Sequence, residues 1–460
     1  MNKLFILQII FLSFLLVSCD DLFHDANSIL EDIETDIEEI IEPDPIKIIL
    51  GGDFKYSFNE IDHESIIVLD GEGNYIENAF DQSVYGLYGD GTGYSGVRDI
   101  ELTSDYLYVS GQFQGYKNTP DTNYMRDDYA YLMRYTHSGG VYTYDSNYKP
   151  ASIIPDYSGS ILEINPLMDG SLVLGGSFSS GLNPYFSIIK PDGSEYSPLP
   201  VITIGYSVNA MYYFSDDSIM FIAGDFNEIN GVPDYMEYAL IDIDSGAAIP
   251  PGAFLEGSAE DPLAVTEIYD VEFTGNQELF IAGHDMNAST TPYWLPGVFR
   301  KYIYNGTNFI SDADFNSQFR DVELIRDADS DPMNSPYFNS VKAIATDSEG
   351  RIYIGGEFSN IKDINGNEHK GIIRLFASGM IDPTFTPDIN LQVIIIEFQK
   401  NGKIIVGGST IGTDMGNNGY VRLMPDGNID ESFHLFGIPP SDMAMSPTIY
   451  SIVIEEQPIP

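Results

Sequence analysis

Carboxylates dominate the chemistry open to this chain. Its 460 residues hold 70 Asp and Glu against 21 Lys and Arg, for a formal net charge of −49. Acids at alternate positions are the pattern of a calcium loop, and three segments approach it. DADSDP (327–332) supplies Asp327, Asp329 and Asp331, without the glycine at the sixth position and with Phe338 where a bidentate Glu belongs. DINGNE (363–368) has Asp363, Asn365 and Asn367, with Gly366 misplaced and Arg374 at position twelve. Asp426, Asn428 and Asp430 form the third, and a hairpin turn demands the same residue types. A solvated turn is the expectation at each, so no cofactor is expected, with loose calcium binding left open by the charge.

Nucleophilic catalysis finds no local motif. GGSFS (175–179) fails the nucleophile-elbow pattern, and the six histidines are scattered without metal-ligand spacing. His284 stands out for its place in a repeat, described below. Tyr293 and Trp294, in a long loop, are aromatics that could stack on a sugar or anchor a protein. A pair of carboxylates for glycoside chemistry leaves no local signature, because its members come from separate strands.

Seven short apolar runs end in a pair of small residues and must position whatever chemistry exists. They are ILGGDF (49–54), VSGQF (109–113), LGGSF (174–178), IAGDF (222–226), IAGHDM (281–286), IGGEF (354–358) and VGGST (406–410). Anchored on the second small residue, the spacings are 59, 65, 48, 59, 73 and 52, the signature of a repeat architecture. His284 occupies the position where the other copies carry Asp, Gln, Ser or Glu. Each unit offers about four runs rich in Ile, Val, Tyr and Phe, separated by turn pairs such as Asn401-Gly402 and Asp426-Gly427, which read as antiparallel strands joined by hairpins. Glycine inside a strand marks a bulge or the close approach of another backbone, and the Phe that follows is expected to pack between sheets.

Four strands repeated seven times predict an all-β, seven-bladed β-propeller over 46–456. No stretch there sustains apolar residues at helical spacing. The first unit lacks a strand before its anchor, and the chain ends in an unassigned run, TIYSIVIEE (448–456), so the C-terminal strand is expected to complete the first blade. The motifs KIIVGGST…VRLMPDGNIDESF (403–433) and RIYIGGEF…IIRLFASGMIDPTF (351–385) resemble the delta-60 repeat, a bacterial β-propeller repeat. The resemblance weakens in units three and four and is poor in units two and five. It implies a propeller at the cell envelope and carries no catalytic residue with it.

Residues 1–18 read as a lipoprotein signal peptide: Lys3, an apolar run over 4–17, then Leu16-Val17-Ser18-Cys19 in the pattern of a lipobox. Cys19 is the only cysteine, so the chain has no internal disulfide, and lipidation at Cys19 is the expectation. Residues 19–45 read as an acidic tether with a short amphipathic helix carrying Leu30, Ile33, Ile37, Ile40 and Ile41 and stopped by Pro43.

These readings predict a lipid-anchored protein of the bacterial envelope, held to the bilayer by its N-terminus, with an envelope protein or a glycan as partner. The acidic balance excludes nucleic acid, whose binding rests on neutralising phosphates. A non-catalytic binding or adhesion scaffold is one reading, with contacts from the insertions 114–130 and 284–297. An envelope polysaccharide hydrolase or lyase using carboxylates in the propeller channel is the other, and a spacer without a ligand is a third. Fold alone does not separate them.

Overall fold

The computed structural model describes residues 46–58, 61–80, 87–88, 96–112, 115–117, 124–125, 131–138, 140–150, 159–178, 185–194, 196, 207–214, 218–226, 228–229, 232–233, 238–249, 255–256, 267–284, 297–304, 309–320, 340–357, 361–362, 368–410, 419–435, 437 and 447–456. The chain divides into two units, Met1–Lys47 with Glu455–Pro460, and Ile48–Ile454. In the first, a buried ion pair joins Lys47 Nζ to Glu455 Oε2 at 3.1 Å. The tether and its expected helix lie outside the described residues.

The second unit is built almost wholly of antiparallel sheets in chain order. Gly96–Leu102, Tyr106–Gln112, Leu132–Ser138 and Val141–Tyr144 form one, and Ile161–Pro166, Leu172–Gly176 and Phe186–Ile189 the next. Ser207–Phe214, Ile219–Asp225, Tyr238–Asp242 and Ala248–Ile249 follow, then Glu267–Phe273, Glu278–His284, Gly297–Tyr304 and Phe309–Ser311, which Leu255–Glu256 joins in parallel. Val341–Thr346, Ile352–Gly356 and Ile372–Leu375 make another. The last sheet has two halves: Leu391–Phe398, Ile404–Thr410 and Tyr420–Leu423, and the C-terminal strand Thr448–Glu455 with Lys47–Phe58 and Ile61–Asp70. A single bridge, Ser409 to Thr448, joins them.

Apolar residues of consecutive sheets interlock. Val173 and Phe186 share a core with Val208 and Ile222 of the following sheet, and Ile49 and Val68 share one with Val97 and Val109. The Phe after the anchor behaves as its sequence position demands: Phe178 and Phe226 are fully buried in these inter-sheet cores, each worth about 2–3 kcal/mol of apolar burial.

The anchor glycines follow from one recurring contact. Opposite the second glycine the leading strand carries a register shift, at Val97/Asp99, Ile161/Glu163, Val208/Ala210, Ile268/Asp270, Val341/Ala343 and Val393/Ile395. At each of Gly111, Gly176, Gly224, Gly283 and Gly408 a Cβ would overlap the carbonyl oxygen of the residue that enters the bulge, for example Gln392 O at Gly408. No residue but glycine tolerates that approach. Gly52 meets Thr448 O in the same way, so the C-terminal strand stands to the first anchor as the other leading strands stand to theirs.

A second contact recurs in four sheets and ties three of them to the next repeat. A basic residue on the third strand pairs with an acid beyond it, and an aromatic ring follows the acid by three positions. The sets are Arg134–Asp145–Tyr148, Lys301–Asp312–Phe315, Arg374–Asp382–Phe385 and Arg422–Asp430–Phe433, with nitrogen–oxygen distances of 2.6, 3.2, 2.7 and 2.8 Å. The cation lies over the ring at 4.0, 5.1, 4.6 and 4.1 Å from its centroid. Each arginine also donates Nη1 to a carbonyl in the next repeat's turn: Arg134 to Pro191 at 2.6 Å, Arg374 to Pro425 at 2.7 Å, and Arg422 to Gly71 in the first repeat. Burial alone would raise the Asp382 and Asp430 carboxyls. Hydrogen bonds from Thr384 to Asp382, and from Lys403 and Ser432 to Asp430, together with the arginine charges, hold both below the usual range.

Two expectations need correction. The fourth run of repeats one, six and seven shrinks to single bridges, Leu69–Tyr75, Leu375–Ile381 and Leu423–Ile429. In repeats six and seven the chain turns at once to bring Asp382 and Asp430 onto their arginines. In repeat five a helix, Ala313–Arg320, follows the outer run, where no helical spacing was read. Asp312 caps it, accepting the Phe315 N–H at 3.1 Å, and its two turns carry too few apolar residues to show a period.

Candidate functional site

The bulges aim side chains of the leading strands out of the ladder and toward one another, the usual way a bulge re-aims a residue. Asp99 and Glu101 come from Gly96–Leu102, Glu163 from Ile161–Pro166, Asp270 and Glu272 from Glu267–Phe273, and Glu397 from Leu391–Phe398. These strands belong to four sheets, yet Glu397 feels the charges of Glu272, Asp270 and Asp99, and Glu163 those of Asp99, Asp270 and Glu101. The carboxylates therefore converge.

Much of their hydrogen-bonding capacity is spent across the sheet joints. Asp99 Oδ2 accepts the N–H of Ile164 at 2.8 Å, Glu163 Oε1 that of Met211 at 3.4 Å, and Asp270 Oδ2 that of Ile344 at 2.6 Å. Ser451 of the C-terminal strand does the same for Ile100 at 3.1 Å. The corresponding register positions in the remaining sheets hold Ala210, Ala343 and Ile395, which have no acceptor. Glu272 accepts from the Thr346 hydroxyl at 2.8 Å. Glu101 and Glu397 have no hydrogen-bond or ion-pair partner among the described residues.

Burial pushes all six carboxyls up. Asp99 rises to about 6, held down by its backbone donors, and Asp270 to about 8 despite the Ile344 N–H. Glu397 reaches about 8 through burial and then its acidic neighbours. Glu101 and Glu163 are pushed well above the carboxylate range by the same two causes, and Glu272 rises through burial.

At the anchor end of the same strands lies a mixed cluster. Asp225 and Glu357 follow the second anchor glycine of repeats four and six, Glu267 and Tyr269 flank the bulge at Ile268, and Lys342 follows Val341. The Tyr269 hydroxyl donates to Glu267 Oε2 at 2.8 Å, and Lys342 Nζ sits 3.3 Å above the Tyr269 ring centroid. Burial raises the Asp225 carboxyl, with Glu267 adding to it, raises the Glu357 carboxyl against the pull of Lys342, and lowers the Lys342 ammonium. Two clefts open at the opposite end. One of about 340 Å³ is lined by Glu272, Glu278, Thr346 and Asp347, and one of about 200 Å³ by Met168, Tyr196, Tyr213 and Asp244. In the larger, Glu278 is committed to Lys301 at 2.7 Å and Asp347 to Arg351 at 2.6 Å.

Among the described residues no group of three or more His, Cys, Asp or Glu side chains is arranged to hold a metal ion, and no helix is long and apolar enough to cross a membrane. Asp426 and Asp430 act as turn residues. Asp426 accepts the Asn428 N–H at 3.0 Å, and Asp430 is taken by Arg422, Lys403 and Ser432. Cys19, Asp327, Asp329, Asp331, Tyr293 and Trp294 lie outside the described residues, as does most of 363–368. The backbone of His284 pairs with Glu267 and Gly297, which puts it at the anchor end. The convergent carboxylates were missed individually. Their signal is an acid inside the leading apolar run of a repeat, as in VRDIEL, ILEIN, IYDVEF and IIIEF.

Three solved structures are similar to this chain at low identity. The Pan2 WD40 domain of Neurospora crassa shares 10% identity over 68% of this chain and 75% of that one, with a TM-score of 0.35. A protein of unknown function from Bacteroides caccae shares 9% over 73% and 92%, at 0.32, and the hydrazine synthase of Kuenenia stuttgartiensis shares 9% over 56% and 60%, also at 0.32. The chain spans less than two thirds of the hydrazine synthase chain. No curated protein matches the sequence. Residues 348–385 and 399–433, the two repeats with complete arginine–aspartate–phenylalanine joints in succession, match the domain of unknown function (DUF5122) beta-propeller, and this match supports a propeller-type repeat family for the chain.

Proposed function

We propose that residues 46–456 form a seven-bladed propeller closed by the C-terminal strand, carried at a bacterial envelope on a lipidated Cys19 and an acidic tether over 19–45, and that it serves as a non-catalytic binding scaffold. Two contacts support closure. Gly52 meets Thr448 as the other anchors meet their leading strands, and Arg422 reaches Gly71 as Arg374 reaches Pro425. The observation that carries the binding reading is the use made of the convergent acids: Asp99, Glu163 and Asp270 hold backbone N–H groups of the neighbouring sheet, so they build the assembly. Recognition then falls to the anchor end and to loops such as 114–130 and 284–297, with an envelope protein or glycan as ligand.

A polysaccharide hydrolase or lyase is the second reading, favoured by Glu101 and Glu397. Both are raised, and neither has a hydrogen-bond partner among the described residues, as a proton donor in a channel requires.

Two experiments test the proposal. The soluble chain 20–460 is applied to arrays of bacterial glycans and envelope proteins, with and without calcium, while product release is monitored. Saturable binding without turnover is expected, and released product would transfer the assignment to the hydrolase. Palmitate labelling of the full chain should vanish in Cys19→Ser, and labelling that persists refutes the anchor.

A further inference from the structure

We propose that the cluster of Lys342, Glu357, Asp225, Glu267 and Tyr269 is a binding subsite for a saccharide that carries vicinal hydroxyls and no acidic group. The inference rests on the scaffold reading above and names the ligand class for it.

These half-buried groups keep hydrogen-bonding capacity open to a ligand. An ammonium has three N–H donors and no acceptor, and a carboxylate accepts through about four lone pairs. Lys342 Nζ has no carboxylate oxygen within 4.0 Å and no hydrogen-bond acceptor among the described residues; its contact is the Tyr269 ring face. The carboxylates of Glu357 and Asp225 likewise have no hydrogen-bond or ion-pair partner among the described residues, although Glu357 and Lys342 attract each other. Donors and acceptors thus lie near enough to feel one another's charge without pairing directly. Such a set suits a group that gives and takes hydrogen bonds within a few ångströms, and two neighbouring hydroxyls do both.

Other features narrow the class. Three carboxylates against one ammonium disfavour uronate or sulfate, as does the formal charge of −49. The Tyr269 hydroxyl is oriented by Glu267 and its ring carries the ammonium, so Lys342 is positioned and cannot swing freely into solvent. All five residues stand on strand ends or at bulges and not on long loops, which gives the subsite a stiff base.

The test is calorimetric titration of residues 20–460 with the methyl glycosides of glucose, galactose, mannose and N-acetylglucosamine, and with glucuronic acid as the acidic arm. Saturable binding of at least one neutral glycoside is expected, with glucuronic acid weaker. Lys342→Met and Glu357→Gln should each weaken it by about tenfold or more, and Glu349→Gln, at an exposed turn, should leave it unchanged. Circular dichroism reports the fold of each variant. Glu357→Gln keeps the side-chain shape and decides the matter where Lys342→Met fails to fold. Glycoside binding that survives Glu357→Gln overturns the subsite while leaving the scaffold reading intact. Failure of every neutral glycoside overturns it as well, and a protein captured on the arrays would then still support the scaffold.

Discussion

Glu397 offers a direct test of the electrostatics at the leading strands. Its carboxyl rises from an ordinary 4.5 to about 8, through burial first and then Glu272, Asp270 and Asp99. For a carboxyl raised on folding, the native state holds its proton more tightly than the unfolded chain. Its contribution is therefore favourable below about 4.5 and is lost as pH rises through about 8. At about 1.4 kcal/mol per pH unit the shift bounds this loss at about 5 kcal/mol. The group is partly exposed, and water screens it, so the realised term is about 1–3 kcal/mol. Glu397→Gln keeps the shape and removes the charge. Urea unfolding of both chains from pH 4 to pH 9 should show equal stability at the acidic end and a gain of about 1–3 kcal/mol for the variant at the alkaline end. A gain of the same size at every pH would refute the electrostatic cause. A uniform loss would show that the carboxylate has a partner.

Three further outcomes follow from the same contacts. Gly408→Ala drives a methyl into Gln392 O and should cost about 3 kcal/mol or more in urea unfolding, whereas Gly437→Ala, with nothing within 4 Å, should be silent. Arg374→Met leaves Asp382 buried without its partner and should cost about 3–5 kcal/mol, part of which Arg374→Met/Asp382→Asn recovers, as a double-mutant cycle would measure. Asp270→Ala leaves the Ile344 N–H without its acceptor and should cost about 1–3 kcal/mol. Asp270→Asn retains an acceptor and should cost less, with hydrogen exchange at Ile344 reporting which amide opens.

The repeats, their strands and the pairing of the C-terminal strand with Lys47–Phe58 were legible because each depends on local chemistry: alternating apolar residues, turn pairs and a glycine that nothing else can replace. The joints were legible only where their spacing is constant. Arg374 to Asp382 and Arg422 to Asp430 are both eight residues apart, so the last two repeats read clearly. The longer outer hairpins of Arg134 to Asp145 and Lys301 to Asp312 hide the same device at eleven. The convergent carboxylates were illegible for a different reason. A bulge shifts by one residue which side of the strand a side chain occupies, and Asp99 next to Ile100 looks like an ordinary polar position until the register is known.

The register also accounts for why so acidic a protein gathers carboxylates where its sheets meet. The close approach at each anchor glycine forces the bulge, and the bulge turns the N–H of Ile100, Ile164, Met211 or Ile344 toward the preceding leading strand. An acceptor there stabilises the joint, and Asp or Glu reaches where Ala210, Ala343 and Ile395 cannot. The accumulated charge is relieved by proton uptake, since groups at about 6 and about 8 are partly or largely neutral at pH 7, so the charge carried is smaller in magnitude than the formal −49. Lys342 and Glu357 stand outside this scheme. They hold no backbone across a joint, and at their half-buried positions they attract each other without a direct hydrogen bond or ion pair among the described residues. Asp99, Glu163 and Asp270 hold the joints, whereas this pair is free to meet a ligand.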